Sequence, residues 1–327
     1  MSTTARWIGC VACLTFSACA HAATLVSEPF NYTLNVAIAG RNGGSGFFAG
    51  DAWSYTEQGA GGSTSTGTIA PGLTFSDLPV SGNSALLSVV SSSSSGFSDT
   101  VNIRRRPAVV PNGTTDEFWT RYLFRESVNR ANVDLFVAGL TIDDVETVSL
   151  YHKFGTWAIS GNANDHGGVN VDTSVTAAIS ATNSLSDSNT YLLIGKFTNV
   201  NAGFTVARTG KFWALSVADY DAIKPGGITE AELDATHSQT ATETVLPTVS
   251  QPLNFTTSDF YNFRGVRPAV SNAFESYYFD ELVSGTTLGD LGLPTPPAPE
   301  PASAAVTLGT LFTLRRVRTS PKHASGR

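Results

Sequence analysis

Two stretches carry the residue types best suited to chemistry: the adjacent acids Asp280-Glu281 in "SYYFDELVSG", and the oxygen-rich "GNANDHGGVNVD" that begins at Gly161. Sugar hydrolysis on a β scaffold needs two carboxylates facing one ring, one as acid and the other as nucleophile or base. On a strand they must occupy alternate positions, because successive side chains point to opposite faces. Asp280 and Glu281 are neighbours, so they are expected on opposite faces and read as a structural strand end. Asp143, Asp144 and Glu146 read as a solvated turn. In the second stretch Asn162, Asn164, Asp165, Asn170 and Asp172 supply hard oxygen ligands of the kind calcium takes, and Gly167-Gly168 permits a sharp turn. The twelfth position of an EF-hand template is Thr173 rather than a bidentate Glu, so a plain polar hairpin loop stands beside the calcium reading. The histidines of the body (His152, His166 and His237) lack zinc-hydrolase spacing. There is no G-x-S-x-G elbow before a helix and no P-loop, and the glycine-rich Arg41–Gly46 reads as a turn. No catalytic residue is assigned and no cofactor is expected, calcium apart.

Binding is the other chemistry on offer. Arg104, Arg105 and Arg106 form a basic triplet that could meet an acidic polysaccharide, or simply end a strand before Pro107. Tryptophan faces suit the C–H faces of sugars, although strand tryptophans are more often core. Trp53 and Trp157 sit beside turn residues and are expected to be exposed, so Trp53, Trp157, Arg104 and Arg105 are the candidate glycan contacts. Away from the leader and the basic tail the chain has 14 Lys and Arg against 27 Asp and Glu, a balance of −13. So acidic a body argues against a nucleic-acid partner.

These residues sit on a chain of 327 residues with 41% hydrophobic but only 14% charged content. Short runs rich in aromatic and β-branched residues recur between Gly, Asn, Asp and Pro, which is the pattern of strands and turns. They include "LLSVV", "EFWTRYLFRESV", "NVDLFVAGLTI", "TVSLYHKFG", "YLLIGKFTNV", "KFWALSVA", "FYNFRGV" and "SYYFDELVSG". In the second, Phe118, Thr120, Tyr122 and Phe124 share one face. One short helix is expected in "ITEAELDATH", with Thr229 as N-cap and Glu232 completing a capping box. The expected fold is all-β: one large two-sheet antiparallel sandwich or jelly roll over residues 23–293.

The ends read as addresses. Arg6, the apolar Trp7–Phe16 and Ala20-His21-Ala22 form a secretory signal peptide over residues 1–22. All three cysteines (Cys10, Cys13 and Cys19) lie in this leader, and "FSAC" offers lipidation at Cys19 as a rival to cleavage after Ala22. At the other end come a proline-rich linker (294–301), an uncharged apolar segment (302–314) and a basic tail (315–327), the tail disordered or helical. A 13-residue segment reaches only about 20 Å as a helix, short of the roughly 30 Å hydrocarbon core.

The ordered series Pro299-Glu300-Pro301, apolar run and Arg315-Arg316 resembles the PEP-CTERM sorting signal of Gram-negative bacteria. That resemblance implies transient inner-membrane anchoring, processing by an exosortase-type enzyme after signal peptidase, and release to the cell surface or matrix. "EPFNYTLNVAIAGRNGGSGFFAGDAWS", "PGLTFSDLPVSGNSA", "YLLIGKF" and "SYYFDELVSGTTLGDL" resemble secreted concanavalin A-like, laminin-G-like sandwiches. This second resemblance implies that the FDE strand pairs near the first strand and closes the sandwich. Together they imply a fold and a habitat and fix no ligand; with the candidate contacts above, the expectation is a non-catalytic exported surface or matrix protein with extracellular polysaccharide as its candidate partner. A secreted polysaccharide hydrolase or lyase, and a purely structural matrix component, stand as the alternatives.

Overall fold

A computed structural model describes residues 24–58, 66–90, 99–108, 117–126, 135–142, 145–153, 156–160, 177–178, 189–198, 208–236, 244–246, 260–267 and 274–296. Two antiparallel sheets face each other. The first contains β1 (Val26–Glu28), β3 (Thr66–Pro71), β4 (Asn83–Val90), β6 (Glu117–Glu126), β11 (Thr190–Thr198), β12 (Arg208–Leu215), β13 (Thr244–Leu246) and β15 (Phe274–Gly285). Its order is β13-β12-β11-β6-β15-β4-β3, with β1 also paired to β15. The second contains β2 (Ser54–Gln58), β5 (Asp99–Arg105), β7 (Leu135–Ile142), β8 (Val145–Lys153), β9 (Thr156–Ser160), β10 (Ala177–Ala178) and β14 (Phe260–Arg267). Its order is β10-β9-β8-β7-β14-β5-β2. The all-β sandwich expected from the strand pattern is what the chain forms. The FDE strand is β15, and it pairs with the first strand at Val26↔Ser284 and Glu28↔Leu282.

The inter-sheet core is built by alternation. Phe118, Tyr122 and Phe124 of β6 point inward, with Tyr277 and Phe279 of β15, Leu193 of β11, and Val101, Ile103 and Phe263 from the facing sheet. Phe263 lies 4.7 Å from Phe279 and 5.6 Å from Tyr122, ring centre to ring centre, so aromatic contacts join the sheets.

The first sheet is covered on its other face as well. Trp119 and Leu123 of β6, Leu192 and Ile194 of β11, and Trp213 and Leu215 of β12 pack there. The cover comprises the helices α1 (Val217–Ile223) and α2 (Glu230–Thr236), the connection 72–82 between β3 and β4, and a 3-10 turn (Leu288–Leu291). This explains the unbroken apolar run Tyr191–Ile194, in which all four residues are buried. A strand with two covered faces has no solvent side to keep polar.

The helix expected near Thr229 is α2, and the Thr229 hydroxyl accepts from the Glu232 amide at 3.1 Å. A second helix differs from expectation. The strand read through "KFWALSVA" stops at Leu215, and Ser216 caps α1 in a capping box with Asp219. The box outweighs the β-branched Val217, because it satisfies amides that a helix start leaves unpaired. Among the described residues no helix is long and apolar enough to cross a membrane.

Candidate functional site

The site is built on a buried carboxylate. Val26 and Glu28 are the inward positions of β1, so alternation drives Glu28 into the core, where it is fully buried. A core carboxylate survives only if its oxygens are well paired. Glu28 Oε1 accepts from the Phe30 amide at 2.9 Å. Its Oε2 accepts from Tyr32 Oη at 2.9 Å, Trp53 Nε1 at 3.0 Å and Arg105 Nη1 at 2.8 Å. Burial, and after it the Glu28 charge, holds the Tyr32 hydroxyl above its ordinary range as a donor. Arg105 donates also to the Gly43 carbonyl, and its guanidinium carbon lies 3.9 Å over the Phe47 ring.

This hub fixes the glycine-rich segment 39–53 against β1 and β5. Ser27 and Ser45 form a β-bridge, and Phe47 bridges Pro107. Gly46 has φ +80°, and a Cβ there would sit 1.8 Å from the Leu25 carbonyl oxygen, so the close approach requires glycine. The outer rim of this platform presents Phe48, 42% exposed. The Arg106 guanidinium carbon lies 4.4 Å over the Phe48 ring. Asp51 accepts from the Arg106 amide at 3.0 Å and lies 3.7 Å from its guanidinium. The result is an exposed aromatic ring and a cation held together on a rigid base.

The expected glycan contacts divide. Trp53 is only 1% exposed and Arg105 3%, so both belong to the core hub, which corrects the expectation that Trp53 lies exposed. The reason is parity. Val101, Ile103 and Arg105 occupy one face of β5 and turn inward, whereas Arg104 takes the other face and is half-buried. Trp157 lies on β9, opposite His152 of β8, and its side chain is outside the described residues. The calcium candidates Asn162, Asn164, Asp165, Asn170 and Asp172 lie outside the described residues, as do Asp143, Asp144 and the motif residues Pro299, Glu300, Pro301, Arg315 and Arg316. Sequence reasoning missed Phe48, and it named Arg106 in the basic triplet but not among the candidate contacts. The available signal was an aromatic pair, Phe47-Phe48, in a loop of small residues, where no strand face requires it.

Asp280 and Glu281 are also not where alternation puts them. The β15–β6 register slips between Asp280↔Leu123 and Val283↔Arg121, so β15 carries one extra residue. Glu281 takes up the bulge with φ +51°. Both side chains consequently reach the same connection: Asp280 Oδ2 accepts from the Leu73 amide at 2.8 Å, and Glu281 Oε1 accepts from the Ser81 amide. They are 2% and 7% exposed and offer nothing to a solvent-borne sugar. The bulge also reverses the parity set by Tyr277 and Phe279, sending Leu282 to the inter-sheet core and Val283 to the outer layer.

The two other described tryptophans are structural. Trp119 and Trp213 stack at 5.8 Å with a 7° tilt. Lys196 lies 3.0 Å from Glu117 and 2.7 Å from Glu230, while Lys211 lies 3.0 Å from Glu230 and 2.9 Å from Asp234. Burial pulls the Lys211 ammonium down, but its bonds to Asp234 and Glu230 outweigh that and hold it above its ordinary range. These pairs tie α2 to β11 and β12. A separate cavity of about 260 Å³ is lined by Asn189, Thr190, Tyr191, Ser216, Val217 and Ala218. No group of three or more metal-ligating side chains occurs among the described residues.

No family model matches the chain, and no curated relative does. Among solved structures it is similar to botulinum neurotoxin type C, in a structure concerned with that toxin's interaction with two ganglioside molecules. The identity is 9%, over 89% of this chain and 51% of that one, with a TM-score of 0.38. It is similar also to the cellulose-induced protein Cip1, at 9% identity over 72% of this chain and 91% of that one, TM-score 0.36. A third similarity is to the binding domain of botulinum neurotoxin DC in complex with SialylT, at 9% identity over 68% and 43% of the two chains, TM-score 0.34. The match spans about half the length of the toxin chains. The fold assignment rests on the sheets described above, and these similarities add no ligand to it.

Proposed function

We propose that this chain is an exported, non-catalytic β-sandwich of the cell surface or extracellular matrix that contacts polysaccharide through the rim of Phe48, Arg106 and Asp51. One observation carries the reading: an exposed aromatic ring with a guanidinium 4.4 Å over it, fixed on a platform whose base is a fully buried carboxylate. A ring of this kind stacks on sugar C–H faces, and the adjacent cation favours acidic sugars. Export rests on the leader over residues 1–22, and sorting on Pro299-Glu300-Pro301 with Arg315-Arg316. Signal peptidase and an exosortase-type enzyme are the processing partners, with transient anchoring in the inner membrane. The hydrolase or lyase alternative requires two solvent-facing carboxylates facing one ring; Asp280 and Glu281 are buried, and the exposed Asp77 and Asp221 are both paired with Lys224.

A glycan array on the processed protein, followed by titration calorimetry with the best acidic polysaccharide, tests the binding reading. Phe48→Ala is expected to weaken affinity about tenfold, equivalent to about 1.4 kcal/mol, with a stability change within about 1 kcal/mol, as suits an exposed cation–aromatic contact. Unchanged affinity in Phe48→Ala would remove this rim from consideration. No binding to any polysaccharide would leave the purely structural role. For export, intact mass of the protein from the medium of a host carrying the sorting machinery is expected to lack residues 1–22 and everything beyond the Pro299-Glu300-Pro301 turn. A secreted form that still ends at Arg327 would refute sorting.

A further inference from the structure

The connection 72–82 crosses the outer face of the first sheet as a strap and buries Leu73, Phe75 and Leu78. Its two ends are held by adjacent acids of one bulge, Leu73 by Asp280 and Ser81 by Glu281. Asp280 also accepts from the Glu281 amide at 2.8 Å. Among the described residues the cation beside the pair is Arg121 of β6, which is 5% exposed and spends its Nε on the Leu291 carbonyl. Other charged and titratable groups described around the strap make contacts of their own. Asp290 of the 3-10 turn accepts from the Thr286 and Thr287 amides at 2.8 Å. Arg125 lies over the Tyr278 ring at 4.3 Å. Tyr220 of α1 packs edge-on to Phe75 at 5.4 Å. Asp77, Asp221 and Lys224 pair with one another at the exposed margin.

Two carboxyls and one guanidinium in a dry site do not balance if both acids are ionised. A buried uncompensated charge is among the most costly features a fold can carry, and the group neutralises instead. We infer that the strap is a proton-held latch: the Asp280–Glu281 pair keeps one proton while the strap is down and releases it to solvent when the strap lifts. The proton leaves from a carboxylic O–H, and the electron pair stays on the carboxylate oxygen, so nothing is oxidised or reduced. Burial, opposed by the Leu73 amide bond and reinforced by the Glu281 charge, pushes the Asp280 carboxyl up to about 8, and Glu281 is raised for the same first reason. The sign follows from linkage. A carboxyl whose closed-state pKa exceeds its open-state value favours closure below the open-state value, and that advantage is lost as pH rises to the closed-state value. The strap is therefore tightest in mild acid and loosens up to about pH 8.

The test is hydrogen exchange of the full chain from pH 5 to 9. Protection factors for the Leu73 and Ser81 amides are compared with those of Leu123 and Leu192 in the sheet. The expected result is a fall in strap protection of up to tenfold per pH unit, the limit for one proton. It levels off above about pH 8 while sheet protection holds. Asp280→Asn, which keeps an oxygen acceptor for Leu73, is expected to abolish the slope. If that variant fails to fold, Glu281→Gln serves instead and is expected to move the levelling-off to lower pH, because Arg121 then faces one acid alone. Strap protection independent of pH, a slope that survives Asp280→Asn, or sheet amides that fall in parallel would each overturn the latch. None of these outcomes bears on glycan binding at Phe48.

Discussion

Glu28→Gln is expected to lower the free energy of unfolding by about 3–5 kcal/mol, the usual cost of leaving one partner of a buried ion pair uncompensated. The pair in question is Glu28–Arg105 at 2.8 Å, with side chains 0% and 3% exposed. Gln keeps the shape but not the charge. Its amide group would also turn donors toward Trp53 Nε1 and Arg105 Nη1, which need acceptors. A domain holds only about 5–15 kcal/mol in total, so the loss should be plain in urea denaturation followed by tryptophan fluorescence. Trp53 reports directly, because it stacks on Phe30 at 5.5 Å within the hub. The double variant Glu28→Met with Arg105→Met separates charge from packing. It is expected to recover much of the loss, since apolar replacements of buried ion pairs are often neutral. A Glu28→Gln midpoint indistinguishable from wild type would mean that the hub does not hold the platform, and the rigid base claimed for Phe48 would go with it.

The second large effect belongs to the outer layer. Trp213→Ala is expected to cost about 3–5 kcal/mol, as for other large-to-small changes in a core. Trp213 is completely buried, stacks on Trp119, and donates its indole N–H to Asp234 Oδ1 at 3.0 Å. Trp213→Phe keeps a ring and forfeits that bond, so its cost should be smaller, about 1.5–3 kcal/mol for a hydrogen bond to a charged group. Thermal denaturation of the two variants checks the order. Glycan affinity per folded molecule should be unchanged in both, since the proposed contact at Phe48 and Arg106 shares no residue with the layer that holds Trp119 and Trp213. A Trp213→Ala variant that keeps its stability and loses affinity would invert the assignment, making this pair a sugar platform and Phe48 a bystander.

Eight of the fifteen described strands were legible because their cause is local: β-branched and aromatic runs between turn residues have no competing helical period. The two sheets followed from their number. The α2 helix was legible in Thr229 and Glu232, since a capping box acts within four residues. The Ser216–Asp219 box is the same kind of signal, and it was hidden by an aromatic strand run directly before it.

The side-chain positions that matter for function were not legible, and in each case a long-range partner decided them. Alternation predicts that Asp280 and Glu281 diverge, but a register slip against Arg121 and Leu123, some 160 residues away in the chain, turns both toward one strap. Trp53 lies beside a turn, yet a carboxylate 25 residues earlier draws its N–H inward. Of three consecutive arginines the middle one enters the core, because Glu28 waits there for a cation. The sequence by itself determined the all-β class, eight of the fifteen described strands, one helix and the acidic balance, all of which depend on composition and on neighbours a few residues apart. Tertiary structure alone decided which charges are buried, which ring is exposed and which acids meet at one strap, because burial and pairing depend on residues that meet only when the sheets close.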